Sequence, residues 1–202
     1  MLVSGGGTNL QALIDAQQRN ELGGGRIAAV ISSKEGAYAL ERAATAGIEG
    51  FTLPRKQFDS NRAMTQALVQ LLRKLDIQLV VLAGCMVIFT EELVEAYPNA
   101  IMNVHPALIP SFCGEGYYGL KVHEKALEYG VKVSGATVHF VSEECDGGPI
   151  IAQKAVEVRE DDTPESLQKR IMEEAEWKLL PHAVALFCQG KITVEGRKVI
   201  IG

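Results

Sequence analysis

The sequence predicts a doubly wound α/β fold: a Rossmann-like, mostly parallel sheet with helices on both faces. Three observations predict it. Short apolar runs alternate with helical patterns through the first half of the chain. The run Gln78 to Ala83 (QLVVLA) is continuously apolar in the manner of a strand buried on both faces. A glycine loop, Ser4-Gly5-Gly6-Gly7, joins the first strand to the first helix. Strands that alternate with helices form parallel sheets through right-handed crossovers, and such sheets take ligands beyond the carboxyl ends of their strands. The residues just after each strand are therefore where function is sought.

Taken in order, Met1-Leu2-Val3-Ser4 is a strand stub, and Leu10, Leu13 and Ile14 form an apolar face at helical spacing. Arg26 to Ser32 reads as a strand and Tyr38 to Ala46 as a helix stopped by Gly47. Phe51 to Leu53 is a short strand ended by Pro54. Asp59 to Leu75 is an amphipathic helix with Met64, Leu68, Leu71, Leu72 and Leu75 inward. Thr90 opens a short helix that ends before Pro98, and Ala100 to Val104 is another apolar strand. In the second half, Lys121 to Tyr129 is helical, and Val133 to Val141 alternates with Ala136, Val138 and Phe140 on one face. Ile150 to Val158 is a further strand, and Thr163-Pro164 opens a long C-terminal helix with its cap and N1 proline in favoured places. Ile192 to Ile201 reads as a hairpin turning at Glu195-Gly196-Arg197. With no repeat or linker, residues 1–202 read as one domain with a shared sheet.

Composition narrows the function. The 202 residues are 47% apolar and 22% charged with a net charge of -5, and Lys and Arg are scattered without a basic stripe, so no nucleic-acid partner is expected. No apolar run reaches membrane-span length, and no signal segment leads the chain. The thiols Cys85, Cys113, Cys145 and Cys188 lack paired spacing and read as reduced, in a cytoplasmic protein without a metal site. The expected partners are small molecules, and the expected state is a monomer or weak homodimer.

Two constellations carry chemistry. The first is Gly5-Gly6-Gly7-Thr8-Asn9 before a helix. Backbone N–H groups at a helix start, plus two side-chain donors, suit an anion such as phosphate, though a tight turn would use the same residues. It is neither a dinucleotide fingerprint nor a P-loop. Gly23-Gly24-Gly25, which precedes a strand, reads as a plain loop. The second is Asn103-Val104-His105-Pro106 at a strand end, with Asp146 in the Gly-rich turn Cys145-Asp146-Gly147-Gly148. Residues two apart on a strand share a side, so Asn103 and His105 can converge. An amide can donate to an oxyanion, an imidazolium can donate a second bond or move a proton, and a carboxylate raises the histidine pKa. That set suits acyl transfer to a substrate amine, without a Ser or Cys nucleophile. Singly, each residue could be scaffold; the combination points to chemistry. His123, His139 and His182 read as structural, with His123 the first candidate for an exception because its helix follows the loop after His105.

The segments SGGGTNLQALIDA (Ser4 to Ala16), LAGCM (Leu82 to Met86), NVHPALIPSF (Asn103 to Phe112) and HFVSEECDGGPI (His139 to Ile150) resemble the GAR transformylase family in order and spacing, over nearly the whole chain. The Asn-x-His-Pro and Asp-x-Gly elements alone are also similar to methionyl-tRNA formyltransferase and formyltetrahydrofolate deformylase; the Gly-Thr-Asn-Leu-Gln loop points to the ribonucleotide enzyme. The resemblance implies a formyltransferase fold and transfer of a formyl group from 10-formyltetrahydrofolate to the amine of glycinamide ribonucleotide, in purine biosynthesis. It implies Asn103, His105 and Asp146 as catalytic, and Gly7, Thr8, Asn9 and Glu176 as ribonucleotide-binding. It implies Arg62, Met86, Val87, Ile88, Phe89, Ser142, Glu143, Glu144 and Cys145 around the folate. Residues 1–100 would then be the phosphate-binding half and 101–202 the folate and catalytic half. The chain departs from the family pattern at four places: a short first strand, Val87 where many members carry Arg, Asn61 where Arg often follows Ser, and a longer Cys113 to Tyr118 loop.

Overall fold

The computed structural model describes residues 1–85, 87 and 89–202. Seven strands form one sheet in the order β3-β2-β1-β4-β5-β6-β7. These are β1 (Leu2–Val3), β2 (Ala29–Ser32), β3 (Glu49–Thr52), β4 (Val80–Leu82), β5 (Ile101–His105), β6 (Val133–Phe140) and β7 (Ile150–Glu157). The first five are mutually parallel; β6 runs antiparallel to β5, and β7 antiparallel to β6. A separate hairpin, β8 (Ile192–Glu195) and β9 (Lys198–Ile201), turns at Gly196-Arg197. The doubly wound reading therefore holds, and both halves contribute to one sheet. The Arg26 strand begins only at Ala29.

The helices are α1 (Thr8–Gln18), α2 (Tyr38–Thr45), α3 (Asn61–Lys74), α4 (Glu91–Ala96), α5 (Leu120–Tyr129), α6 (Pro164–Ile171) and α7 (Trp177–Cys188). Strand alternation sorts their packing. Val81, Met102, Val104, Val138 and Phe140 face one side, against Leu13 and Ala16 of α1 and Leu180, Ala183 and Val184 of α7. Leu2, Ile31, Val80 and Ile101 face the other, against Leu68, Val69 and Leu72 of α3 and Leu93 of α4. Of the inward residues expected on α3, Met64, Leu68 and Leu72 are buried, while Leu71 and Leu75 are only half-buried.

The C-terminal helix is not continuous. Thr163 and Ser166 form a reciprocal capping box at its start. Between α6 and α7 the backbone widens into a π-turn over Met172–Glu176, and Pro181 then lies inside α7. A proline within a helix has no N–H to give and crowds the carbonyl four residues earlier, here Trp177. The widened turn just before Trp177 lets the helix continue past Pro181 instead of stopping there. It also aims Glu176 inward, where it is buried.

Strand order reverses between β1 and β4, which opens a crevice at their carboxyl ends. The glycine loop leaves β1 at this crevice, and Ala83 to Cys85 leave β4. A small apolar hollow here is bordered by Val3, Ser33, Cys85, Val87 and Phe89.

Candidate active site

The ladder between β5 and β6 pairs Asn103 with His139 and His105 with Thr137. Because partners across an antiparallel pair point to one face, all four side chains lie on the side opposite Met102, Val104, Val138 and Phe140. Thr137 is fully buried. Its hydroxyl donates to Ala107 O (2.7 Å) and accepts from Ile109 N (3.1 Å), so β6 fixes the loop that follows His105.

Asp146 is the hub. Its backbone takes the left-handed conformation, φ 54°, in the turn after β6. Asp146 Oδ2 accepts from Gly114 N at 2.9 Å and lies 3.5 Å from His105 Nδ1. Asp146 Oδ1 lies 3.4 Å from Asn103 Nδ2 and 3.6 Å from His139 Nε2. The expected trio therefore converges. Gly148 makes this turn possible, since a β-carbon there would collide with the Phe140 carbonyl.

His139, read from the sequence as structural, lies in the same cluster. Asn103 Nδ2 lies 3.2 Å from His139 Nε2. Period-two alternation back from Phe140 put His139 on the less apolar face; only the pairing of β6 beside β5 brings it to Asn103. His123 is fully buried and neither ring nitrogen finds a hydrogen-bond partner among the described residues. Burial first, and then the nearby His105, lower its pKa to about 4.

Burial dominates the electrostatics of His105 too. It lowers the imidazole pKa, and the opposing pull of Asp146 and of the Phe112 carbonyl does not restore it. The expectation that the carboxylate sets the direction is corrected: the carboxylate raises, but desolvation is larger. For Asp146, burial pushes the carboxyl up. The His139 and His105 rings and the Gly114 amide together outweigh it and hold the group below the ordinary range. The pair favours an ionised carboxylate beside a histidine that is readily neutral. His105 Nε2 is 2.9 Å from the Phe112 carbonyl, which can only accept, so that nitrogen carries a proton. Nδ1, facing Asp146, is the nitrogen left to gain or lose one. The Phe112 ring is braced by Tyr117 at 6.4 Å and Tyr129 at 6.0 Å.

At the other constellation, Gly7 takes φ 71° and caps α1. A β-carbon at Gly7 would lie 2.7 Å from that of Ala39, so only glycine fits. Asn9 Nδ2 donates to Glu176 Oε2 at 2.7 Å in a buried contact, and Thr8 Oγ1 approaches the Met172 sulfur at 3.8 Å. The substrate residues named from both ends of the sequence are thus neighbours. Burial raises the Glu176 carboxyl pKa, and the Asn9 bond only partly offsets this.

The residues expected around the folate are less unified. Val87 and Phe89 border the hollow between β1 and β4. Ser142 Oγ donates to Glu144 O at 3.2 Å, and Glu143, Glu144 and Cys145 are exposed beside Asp146. Arg62 is engaged elsewhere: its guanidinium pairs with Glu92 and, at 3.2 Å, with Glu91. Met86 and Ile88 lie outside the described residues. Among the described residues, no group of three or more His, Cys, Asp or Glu could hold a metal ion, and no helix is long and apolar enough to cross a membrane.

An amide, two imidazoles and a carboxylate at the carboxyl edge of a doubly wound sheet, beside a glycine loop, place the molecule among the α/β group-transfer enzymes. The family model described as formyl transferase matches residues 1–184, and the chain belongs to that family. It is similar to the chloroplastic phosphoribosylglycinamide formyltransferase of Arabidopsis thaliana, with 40% identity across 95% of this chain and 65% of that protein. It thus spans just under two thirds of that relative's length. It is similar to the phosphoribosylglycinamide formyltransferase of Haemophilus influenzae at 38% identity, over 96% of this chain and 89% of the other. Among solved structures, it superposes on glycinamide ribonucleotide transformylase 1 from Symbiobacterium toebii with a TM-score of 0.93 and 44% identity, covering 99% of this chain and 91% of the other.

Proposed function

We propose that this formyltransferase moves a formyl group from 10-formyltetrahydrofolate to the amine of glycinamide ribonucleotide, in purine biosynthesis in the cytoplasm. The observation that carries the reading is the Asp146 carboxylate lying between Asn103, His105 and His139, in a chain whose relatives bear that activity in their names. The reading treats residues 1–202 as one domain acting on small molecules, without nucleic acid or membrane, as a monomer or weak homodimer. Residues 1–100 supply the phosphate loop and 101–202 the folate and catalytic groups, with Glu176 reaching back to Asn9.

In the mechanism, the neutral substrate amine attacks the formyl carbon. A C–N bond forms while the carbonyl π electrons move to oxygen. The second N–H of Asn103, held by Asp146 at only 3.4 Å, turns to the developing oxyanion. His105 Nδ1 takes the amine proton, and Asp146 stabilises the imidazolium. Collapse breaks the bond to N10 of the folate, and His105 returns the proton to that nitrogen. Gly7, Thr8 and Asn9 hold the phosphate, and Glu176 accepts from the ribonucleotide. Val87 and Phe89 line the pterin slot, and Ser142, Glu143, Glu144 and Cys145 border it; Met86 and Ile88 are assigned to the folate by the resemblance alone. Arg62, paired with Glu91 and Glu92, would have to leave those partners to reach the folate.

The test follows loss of 10-formyltetrahydrofolate with and without glycinamide ribonucleotide. Consumption that requires the ribonucleotide supports transfer; formate release without it assigns a hydrolase instead. Near-wild-type rates in both His105→Ala and Asp146→Asn overturn the mechanism.

A further inference from the structure

The glycine loop is held from outside by α2. Ala39 N donates to Gly5 O at 3.2 Å, and Arg42 Nε donates to Gly6 O at 2.9 Å. Gly7 O accepts from Gln11 N at 2.9 Å, the first bond of α1. Three successive carbonyls are therefore pinned. In a planar trans peptide the C=O and N–H point in opposite directions. Fixing the Gly5 and Gly6 carbonyls toward α2 consequently aims the Gly6 and Gly7 amides away from it. Those amides and the open start of α1 make a concave row of donors, the form of backbone nest that receives oxyanions.

Arg42 does more than hold one carbonyl. Its Nη1 donates to Gln11 Oε1 at 2.8 Å, so the guanidinium bridges the loop to α1. Gln11 in turn donates to Asp15 at 2.8 Å, and the guanidinium carbon sits 4.9 Å above the Tyr38 ring. The three contacts made by Arg42 itself use the planar fork or flat face of arginine, which lysine cannot reproduce. The charge itself stands on the far side of a single peptide from the donors of the nest.

We propose that Arg42 is a positioning residue for the substrate phosphate: it sets the peptide planes of the Gly5 to Gly7 loop and supplies the cation behind it. This rests on the reading of Gly7, Thr8 and Asn9 as the phosphate loop. It adds a residue on α2 whose role is toward one substrate, the phosphorylated one, and not the formyl donor.

The experiment measures the melting temperature of the full chain against inorganic phosphate, and KM and kcat for each substrate, in wild type, Arg42→Ala and Arg42→Lys. Arg42→Ala is expected to raise KM for glycinamide ribonucleotide about tenfold, the scale of one lost oriented contact, with kcat and the formyl-donor KM within about twofold. Its phosphate-dependent rise in melting temperature should vanish. Arg42→Lys, which keeps the charge but not the fork, should raise that KM about threefold; it reads the same split should the alanine variant not fold. A merely structural tie would lower the melting temperature without phosphate and leave the phosphate increment and KM unchanged, and that result overturns the proposal. If phosphate fails to shift wild type and Gly7→Ala leaves the ribonucleotide KM unaltered, the loop reading falls and Arg42 with it. If wild type responds and Arg42→Ala responds equally, only the Arg42 assignment falls.

Discussion

Asn103 and His139 are direct partners across the β5–β6 ladder, and the amide nitrogen of one lies 3.2 Å from Nε2 of the other. His139 Nδ1 is 2.8 Å from the Phe140 carbonyl, which can only accept, so Nδ1 carries a ring proton, and in the neutral ring Nε2 presents a lone pair. That lone pair receives an Asn103 N–H and thereby fixes which way the amide faces.

His139→Ala should therefore release the amide to rotate. We expect kcat to fall about tenfold to a hundredfold with KM for either substrate little changed, the usual scale for losing a group that orients a reacting one. His139→Gln, whose carbonyl can accept the same N–H, should recover part of the loss. Steady-state kinetics of both variants checks this; a KM effect without a kcat effect would count against an orienting role.

Asp146→Asn should cost about 10²–10⁴ in kcat/KM, the range for general acid–base groups, because the imidazolium on His105 loses its counter-charge. The pH profile carries the sign. The carboxylate raises the His105 pKa against the larger effect of burial, so its removal lets that pKa fall further. The acid limb of the kcat/KM profile should move to lower pH even as the plateau drops. A limb that moves upward would show that another group titrates there.

Much of this site could be read from the chain and some could not, for identifiable reasons. Asn103 and His105 follow from period-two spacing at a strand end, and Asp146 from a carboxylate in a Gly-rich turn. The alternation of strands and helices sets the parallel order but not the register of the two antiparallel strands, so His139 opposite Asn103 was invisible. The Asn9–Glu176 bond joins residues 167 positions apart, and only the π-turn of the last helix aims the carboxylate inward. Arg62 is a folate residue by the resemblance, whereas the packing of α4 on α3 brings Glu91 and Glu92 to it. The widened turn ahead of Pro181 leaves no periodic signature in the sequence.

His123 gives a stability prediction. Its pKa is about 4 in the folded chain against 6.5 for the free side chain. Between those values the unfolded chain binds a proton that the folded one does not, so stability rises with pH across this window. The neutral ring's contribution is complete above pH 6.5 and is lost progressively on acidification toward 4, amounting to about 3 kcal/mol. Urea midpoints between pH 4 and 7 should rise steeply in wild type and less steeply in His123→Phe. Equal slopes would assign the acid sensitivity to other groups.

Glu176 offers the opposite sign. Burial raises its carboxyl pKa in the folded chain, so the unfolded chain ionises first, and stability declines as pH rises through the folded value. Once ionised, the buried carboxylate is thus a stability cost retained beside a candidate substrate site. Glu176→Gln keeps an acceptor for Asn9 Nδ2 while removing the ionisable group. The variant should melt higher without substrate, by about 2–4 °C for each kcal/mol in a chain of this size. It should also bind glycinamide ribonucleotide more weakly, because a carboxylate accepts hydrogen bonds from the substrate more strongly than an amide does. Thermal denaturation with and without the ribonucleotide separates the two effects: the wild type should gain more from substrate than the variant. A variant that melts lower when free and gains just as much when bound would make Glu176 a packing residue, and the Asn9–Glu176 contact a tie between the ends of the fold.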